Sequence, residues 1–221
     1  MSDEPTPTVR FPLIPVIAVV IVGLGLGGVL ALRLPANGRP DPYQNVRVPD
    51  SVDLSVPPFE LIDANGEPID QSILDGGYTV MDFFFTHCPL VCPRMTAEMR
   101  RVQAATEGTR VRLLSVSVDG GRDTPDVIGR YANAVGADPQ RWIFATGERA
   151  DVWSICDALQ LSIEEDAANS IPLPEGGTMA NVDHPSRLIL VGPDRRVIAM
   201  ASFARDHDVN SLIEFAREQA R

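Results

Sequence analysis

The chain has 221 residues, 44% of them hydrophobic, enough for one core of ordinary domain size plus some extra sequence. A formal net charge of −11 excludes a protein that neutralises a nucleic-acid backbone, which needs clustered Lys and Arg. Every basic residue other than histidine is arginine, so lysine Schiff-base catalysis and the Walker A phosphate loop are excluded as well.

Residues 1–10 read as a polar tail, followed over 11–33 by a transmembrane anchor. From Phe11 to Leu32 no charge occurs, and at helical rise that run spans roughly 33 Å, the thickness of a bilayer core. A cleaved signal peptide fits less well, because the head "MSDEPTPT" is not basic and no clear A-x-A site follows. Gly23, Gly25 and Gly28 spell G-x-G-x-x-G, but no strand precedes them, so they do not mark a dinucleotide site. Arg10 flanks the span on one side and Arg33 and Arg39 on the other, so charge leaves its orientation open. Residues 34–56, with Pro35, Pro40, Pro42 and Pro49, read as a proline-rich linker that holds a domain over 57–221 off the membrane.

"FELIDANGEPID" predicts a β-hairpin around Asn65-Gly66. "YTVMDFF" predicts a buried strand and "CPRMTAEMRRVQAATEG" a helix ending at glycine. "VRLLSVSVD" is a second strand, and "TPDVIGRYANAVG" a helix with Thr124 as N-cap and Pro125 at its first position. "RWIFATG" and "ERADVWSICDALQL" continue the alternation, "RLILVGPDRRVIAMASF" is a hairpin around Gly192-Pro193-Asp194, and "DVNSLIEFAREQAR" is a final helix. This order implies an α/β fold, a mixed sheet with helices on both faces. Residues 163–183 are predicted as a long polar loop that delivers the chain to His184.

Chemistry concentrates in "FFFTHCPLVCPRM". Cys88 and Cys92 sit where a strand hands over to a helix, and a helix N-terminus favours thiolate, the form that attacks disulfides and binds metals. The C-x-x-x-C spacing lets both sulfurs converge on one ion, and His184 supplies a third donor if the fold brings it there. Two thiolates and an imidazole suit Cu(I) and, with an added weak ligand, Cu(II); zinc normally wants a fourth donor. The same thiols can instead exchange a disulfide, with Cys88 as nucleophile and Cys92 as resolving thiol, or simply fill a core. His87 adjoins the motif, but neighbouring side chains diverge. Cys156, Met95 and Met99 occupy apolar helical positions and read as packing.

Three blocks together resemble the Sco/SenC proteins: "FFTHCPLVCP" is similar to their F-T-H-C-P-x-x-C-P signature, "SVSVDGGRDTP" to S-V-D-x-x-R-D-T-P, and "VDHPSRLILVGPDRRVI" to a block in which histidine precedes a strand. The resemblance implies a thioredoxin-like fold with an N-terminal β-hairpin extension and one transmembrane helix. It implies a domain facing the periplasm or mitochondrial intermembrane space from the inner membrane. It further implies copper binding through Cys88, Cys92 and His184, one ion per domain. The function implied is assembly of the dinuclear copper centre of cytochrome c oxidase, by donating copper, by reducing cysteines of the copper-accepting subunit, or both. Other periplasmic copper carriers are partners by the same implication, and Asp119 is the aspartate expected to support the loop around the site. Leu90 stands where relatives often carry Asp, Phe84 where Gly is common, and Gly120 where Pro is found. A peroxiredoxin-like peroxidase would fit such a fold, but the spacing of Thr86 to Cys88 does not match its P-x-x-x-T-x-x-C motif.

Overall fold

The computed structural model describes residues 41–89, 91–173 and 176–221. The expected tail and anchor lie outside them, and no helix among the described residues is long and apolar enough to cross a membrane.

Apolar runs without alternation become the centre of the sheet. β1 (Glu60–Asp63) and β2 (Pro68–Asp70) form the expected hairpin, with Gly66 at φ +83° and the Asp63 carboxylate accepting from the amides of Asn65 and Glu67. A 3-10 turn over Gln71–Leu74 leads to β3 (Tyr78–Phe84), then α1 (Val91–Ala105), β4 (Val111–Ser117), α2 (Pro125–Ala134), β5 (Trp142–Thr146) and α3 (Arg149–Ala158). β6 (Glu164–Pro172), β7 (Thr178–Asp183), β8 (Arg187–Val191), β9 (Val197–Ser202) and α4 (Asp206–Gln219) complete the order. Seven strands pair as β2-β1-β5-β4-β3-β8-β9, with β3, β4 and β5 parallel and the flanking pairs antiparallel. Nearly every residue of β3 and β4 is buried whichever way it points, so both faces of the sheet are covered. α1 and α4 pack on one another, α4 also lies on β8 and β9, and α2 lies on β5. Thr124 takes the N-cap position of α2 in extended conformation, with Pro125 beside it, but its side chain makes no capping bond.

Two expectations change. The predicted linker is part of the folded body from Pro42 onward. Val46, Leu54 and Val56 are buried, and the amides of Val48 and Val56 donate to the carbonyls of Ile198 and Arg195 at 2.9 Å each. In return the amides of Met200 and Val197 donate to Val46 and Leu54, at 2.7 and 2.8 Å. β9 is an edge strand with unpaired backbone groups, and residues 46–56 form a strap that satisfies them. Second, the predicted loop over 163–183 is an antiparallel ribbon of β6 and β7, irregular in register between Asp166 and Ser170. Ile171, Met179 and Val182 are its buried contacts, enough to seat one face while the other stays polar.

Candidate metal centre

The site begins where the β3/β4 ladder ends. Val118 N donates to Phe84 O at 2.8 Å, and beyond it the chain turns through Phe85–Cys88, closed by Cys88 N to Phe85 O at 3.3 Å. Cys92 follows inside the first turn of α1, and its amide donates to Cys88 Sγ at 3.4 Å. From the other side the ribbon ends at Asp183, and His184 extends across, its ring edge-on to Phe85 at 5.6 Å between centroids. His184 Nε2 lies 3.2 Å from Cys92 Sγ. The two sulfurs and an imidazole nitrogen lie within 4.8 Å of one another, all three residues are buried, and no other cluster of three or more His, Cys, Asp or Glu donors occurs among the described residues. A cleft of about 320 Å³ opens on this group, walled by Pro89 and Val91 on one side and by Ile171 and Val182 of the ribbon on the other.

The electrostatics differ from the expectation for a helix N-terminus. Burial pushes the Cys92 thiol well above its ordinary value, and the neighbouring Cys88 adds to the rise, outweighing a backbone hydrogen bond that lowers it. Without an ion Cys92 is therefore a neutral thiol, and a soft cation has to displace its proton. His184 Nδ1 is buried and has no hydrogen-bond partner among the described residues, although buried ring nitrogens are normally satisfied. A buried imidazole beside two thiols that are in no disulfide, with its Nδ1 unsatisfied among the described residues, fits a soft metal, which would take one nitrogen lone pair and both sulfurs.

The remaining candidates separate from the cluster. His87 is half-buried with Nδ1 at 3.2 Å from Thr86 Oγ1, and His207 is exposed on α4. Cys156 is fully buried in the core, where burial raises its thiol to about 12. Met95 and Met99 are fully buried. Asp119 braces the loop after β4: its carboxylate pairs with Arg122 at 3.0 Å and Arg149 at 3.7 Å, and its carbonyl accepts from the amides of Arg122 and Asp123. Gly120 has a steric reason, since a Cβ there would sit 1.8 Å from the Gly147 carbonyl oxygen. Phe84 fills space between Tyr131 and Phe144. Leu90 lies outside the described residues.

Two buried acids had not been singled out. Asp82 in β3 accepts from Ser115 Oγ at 2.5 Å, and burial raises its carboxyl to about 6, against the opposing influence of Ser115 and His184. Its signal was a lone acid inside "YTVMDFF". Asp123, the acid of "GRDTP", is wholly buried and accepts from Thr86 and Ser117.

The SCO1/SenC family model matches residues 49–216. The chain belongs to the SCO1/SenC family. The SCO1 protein homolog of Bacillus subtilis is 31% identical over 185 residues, covering 81% of this chain and 86% of that protein. Among solved structures, Arabidopsis thaliana ScoI with copper bound superposes with a TM-score of 0.59 at 22% identity, over 74% of this chain and 96% of that one. BsSco, described as a cytochrome c oxidase assembly protein of the Sco family with a disulfide switch, gives 0.61 at 24% identity, over 80% and 98%. These likenesses show the fold, a mixed sheet with flanking helices of the thioredoxin-like Sco type. Cys88, Cys92 and His184 all fall inside the SCO1/SenC match.

Proposed function

We propose that this chain is a membrane-tethered copper carrier that supplies the dinuclear copper centre of cytochrome c oxidase, holding the ion through Cys88, Cys92 and His184. The observation that carries this is the convergence of three soft donors within 4.8 Å in a buried site beside an open cleft. Two thiolates and one imidazole make a trigonal set for Cu(I), and a weak added ligand would admit Cu(II). Zinc is less well served, because no fourth His, Cys, Asp or Glu joins the group among the described residues. The copper-bound ScoI of Arabidopsis thaliana and the oxidase-assembly description of BsSco support copper as cargo and the oxidase as destination. On this reading residues 11–33 anchor the chain in the inner membrane by a single helix, with the domain in the periplasm or mitochondrial intermembrane space. There it takes copper from other carriers and gives it to the copper-accepting oxidase subunit. Titrating the reduced full chain with Cu(I) should give one tight equivalent, lost in Cys88→Ser, Cys92→Ser and His184→Ala. Undiminished uptake in the double cysteine variant would sink the proposal.

Thiol exchange is a second reading, favoured by two thiols that are in no disulfide and close enough for Cys92 N to reach Cys88 Sγ. The pair would then reduce cysteines of the copper-accepting subunit, with Cys88 attacking and Cys92 resolving. A Cys92→Ser variant should trap a mixed disulfide with that subunit; no adduct under oxidising conditions would leave the copper role alone.

A further inference from the structure

We infer that Asp123 is a positioning residue for the metal-binding turn: its buried carboxylate grips Thr86 and thereby sets Cys88 against Cys92 and His184. The inference rests on the copper site proposed above, although its geometry is independent of the ion.

The ladder between β3 and β4 runs out at Val118 N to Phe84 O, so Thr86 N, the next donor on that edge of β3, has no strand to pair with. Asp123 Oδ2 accepts from it at 3.0 Å, and Asp123 Oδ1 takes the Thr86 hydroxyl. Ser117 Oγ donates to the same carboxylate at 2.5 Å and accepts from Asp119 N at 3.1 Å. The carboxylate thus acts as a side-chain extension of β4, holding both donors of one residue. Thr86 is the second residue of the turn closed by Cys88 N to Phe85 O, so gripping it fixes the turn that ends at Cys88. The grip also explains His87. With its proton committed to Asp123, the Thr86 hydroxyl accepts from His87 Nδ1–H, and the ring is held on that hydroxyl.

Asp123 is itself anchored. Its amide donates to Asp119 O at 2.9 Å, and the Asp119 carboxylate is pinned by Arg122 and Arg149. A wholly buried carboxylate is costly unless several donors converge on it, and three do. An alanine here would leave an amide and two hydroxyls without their acceptor.

Groups that orient metal ligands from behind change affinity by about tenfold to a hundredfold when removed. In the full chain, Asp123→Ala should weaken Cu(I), measured by competition with a chromophoric chelator, by about that factor. Thr86→Val and Ser117→Ala should each weaken it by roughly tenfold, whereas Thr86→Ser, which keeps the hydroxyl, should stay within about twofold. The thiolate-to-Cu(II) charge-transfer band should move in the first three variants and not in Thr86→Ser. Val209→Ala, a core truncation in α4, should lower stability without touching either readout. If Asp123→Ala does not fold, Thr86→Val decides. Wild-type copper affinity and an unmoved band in a folded Asp123→Ala or in Thr86→Val overturn the inference.

A wild type that takes up no copper defeats the copper reading instead, and positioning is then read from the thiols. Cys88 and Cys92 give two electrons and two protons to glutathione disulfide and join in a disulfide, while the glutathione S–S bond breaks to leave two glutathione thiols. The glutathione needed to hold half the pair reduced reports how well the sulfurs are placed. Thr86→Val and Asp123→Ala should change that effective concentration about tenfold, or about 30 mV, and unchanged values overturn the inference on this arm.

Discussion

Cys88 and Cys92 lie on the turn and helix that follow a strand paired on both sides, whereas His184 arrives on a two-stranded ribbon that pairs only with itself. β3 is buried on both faces and bonded to β4 and β8; β6 and β7 bury a few side chains and carry a break in register. On the copper reading proposed above, the difference teaches how such a site would hold an ion and still release it. The two cysteines follow directly from the best-paired strand of the sheet, and the histidine rides on a peripheral ribbon with little to resist its displacement.

Removing a donor from the fixed half should have the largest effect. Cys92→Ser is expected to weaken Cu(I) by roughly a thousandfold, about 4 kcal/mol, and His184→Ala by less, because two thiolates remain. Equal losses in chelator competition would break the comparison. Core truncation separates the halves by stability: Leu114→Ala in β4 should cost roughly 3–4 kcal/mol in urea unfolding, with Ile171→Ala on the ribbon at the low end of the usual range for such truncations. Ile171→Ala should nonetheless shift copper affinity, since it lines the cleft beside His184.

Asp82 tests the fixed half by pH. Burial raises its carboxyl from 3.8 to about 6, which disfavours the ionised form in the folded protein by about 3 kcal/mol. The folded value lies above the unfolded one, so this stability is complete below about pH 4 and is lost as pH rises through about 6. Metal-free Asp82→Asn should therefore gain on the wild type from pH 4 to 7 in urea unfolding and hold a constant lead above that; a difference flat across the range would contradict it. Arg149→Ala should be the smallest change. Arg149 joins Asp119 in the sheet loop to Glu165 on the ribbon, but its exposure limits the stability effect to under about 1 kcal/mol. Faster amide exchange in β6 and β7, with β3 unchanged, is the expected readout.

The same division decided what could be read from the residues alone. β3, β4 and β5 are predominantly apolar, β-prone runs, and the cysteine pair lies within one turn of chain, so strand, helix and motif declare themselves locally. "EEDAANSIP" offers no such run, because a ribbon seated on one face needs few buried residues and the bulge between Asp166 and Ser170 breaks their alternation. His184 meets Cys92 across 92 residues, so the residues alone offered it only as a donor that the fold would have to bring in, and the family resemblance named it as a ligand. Asp123 reaches Thr86 across 37 residues, so its role is likewise invisible to spacing. Residues 42–56 read as a linker because proline and low hydrophobicity dominate, yet their pairing with β9 depends on an edge formed more than a hundred residues later.

That strap carries a practical consequence for anyone who shortens the chain. A fragment begun at Pro57, where the composition invites a cut, would bare the outer rim of β9 and uncover the side chains that Val46, Leu54 and Val56 shield. Such a rim is a template for a second molecule, and the fragment should dimerise rim to rim as its concentration rises, while one begun at Pro42 stays monomeric through the same contacts.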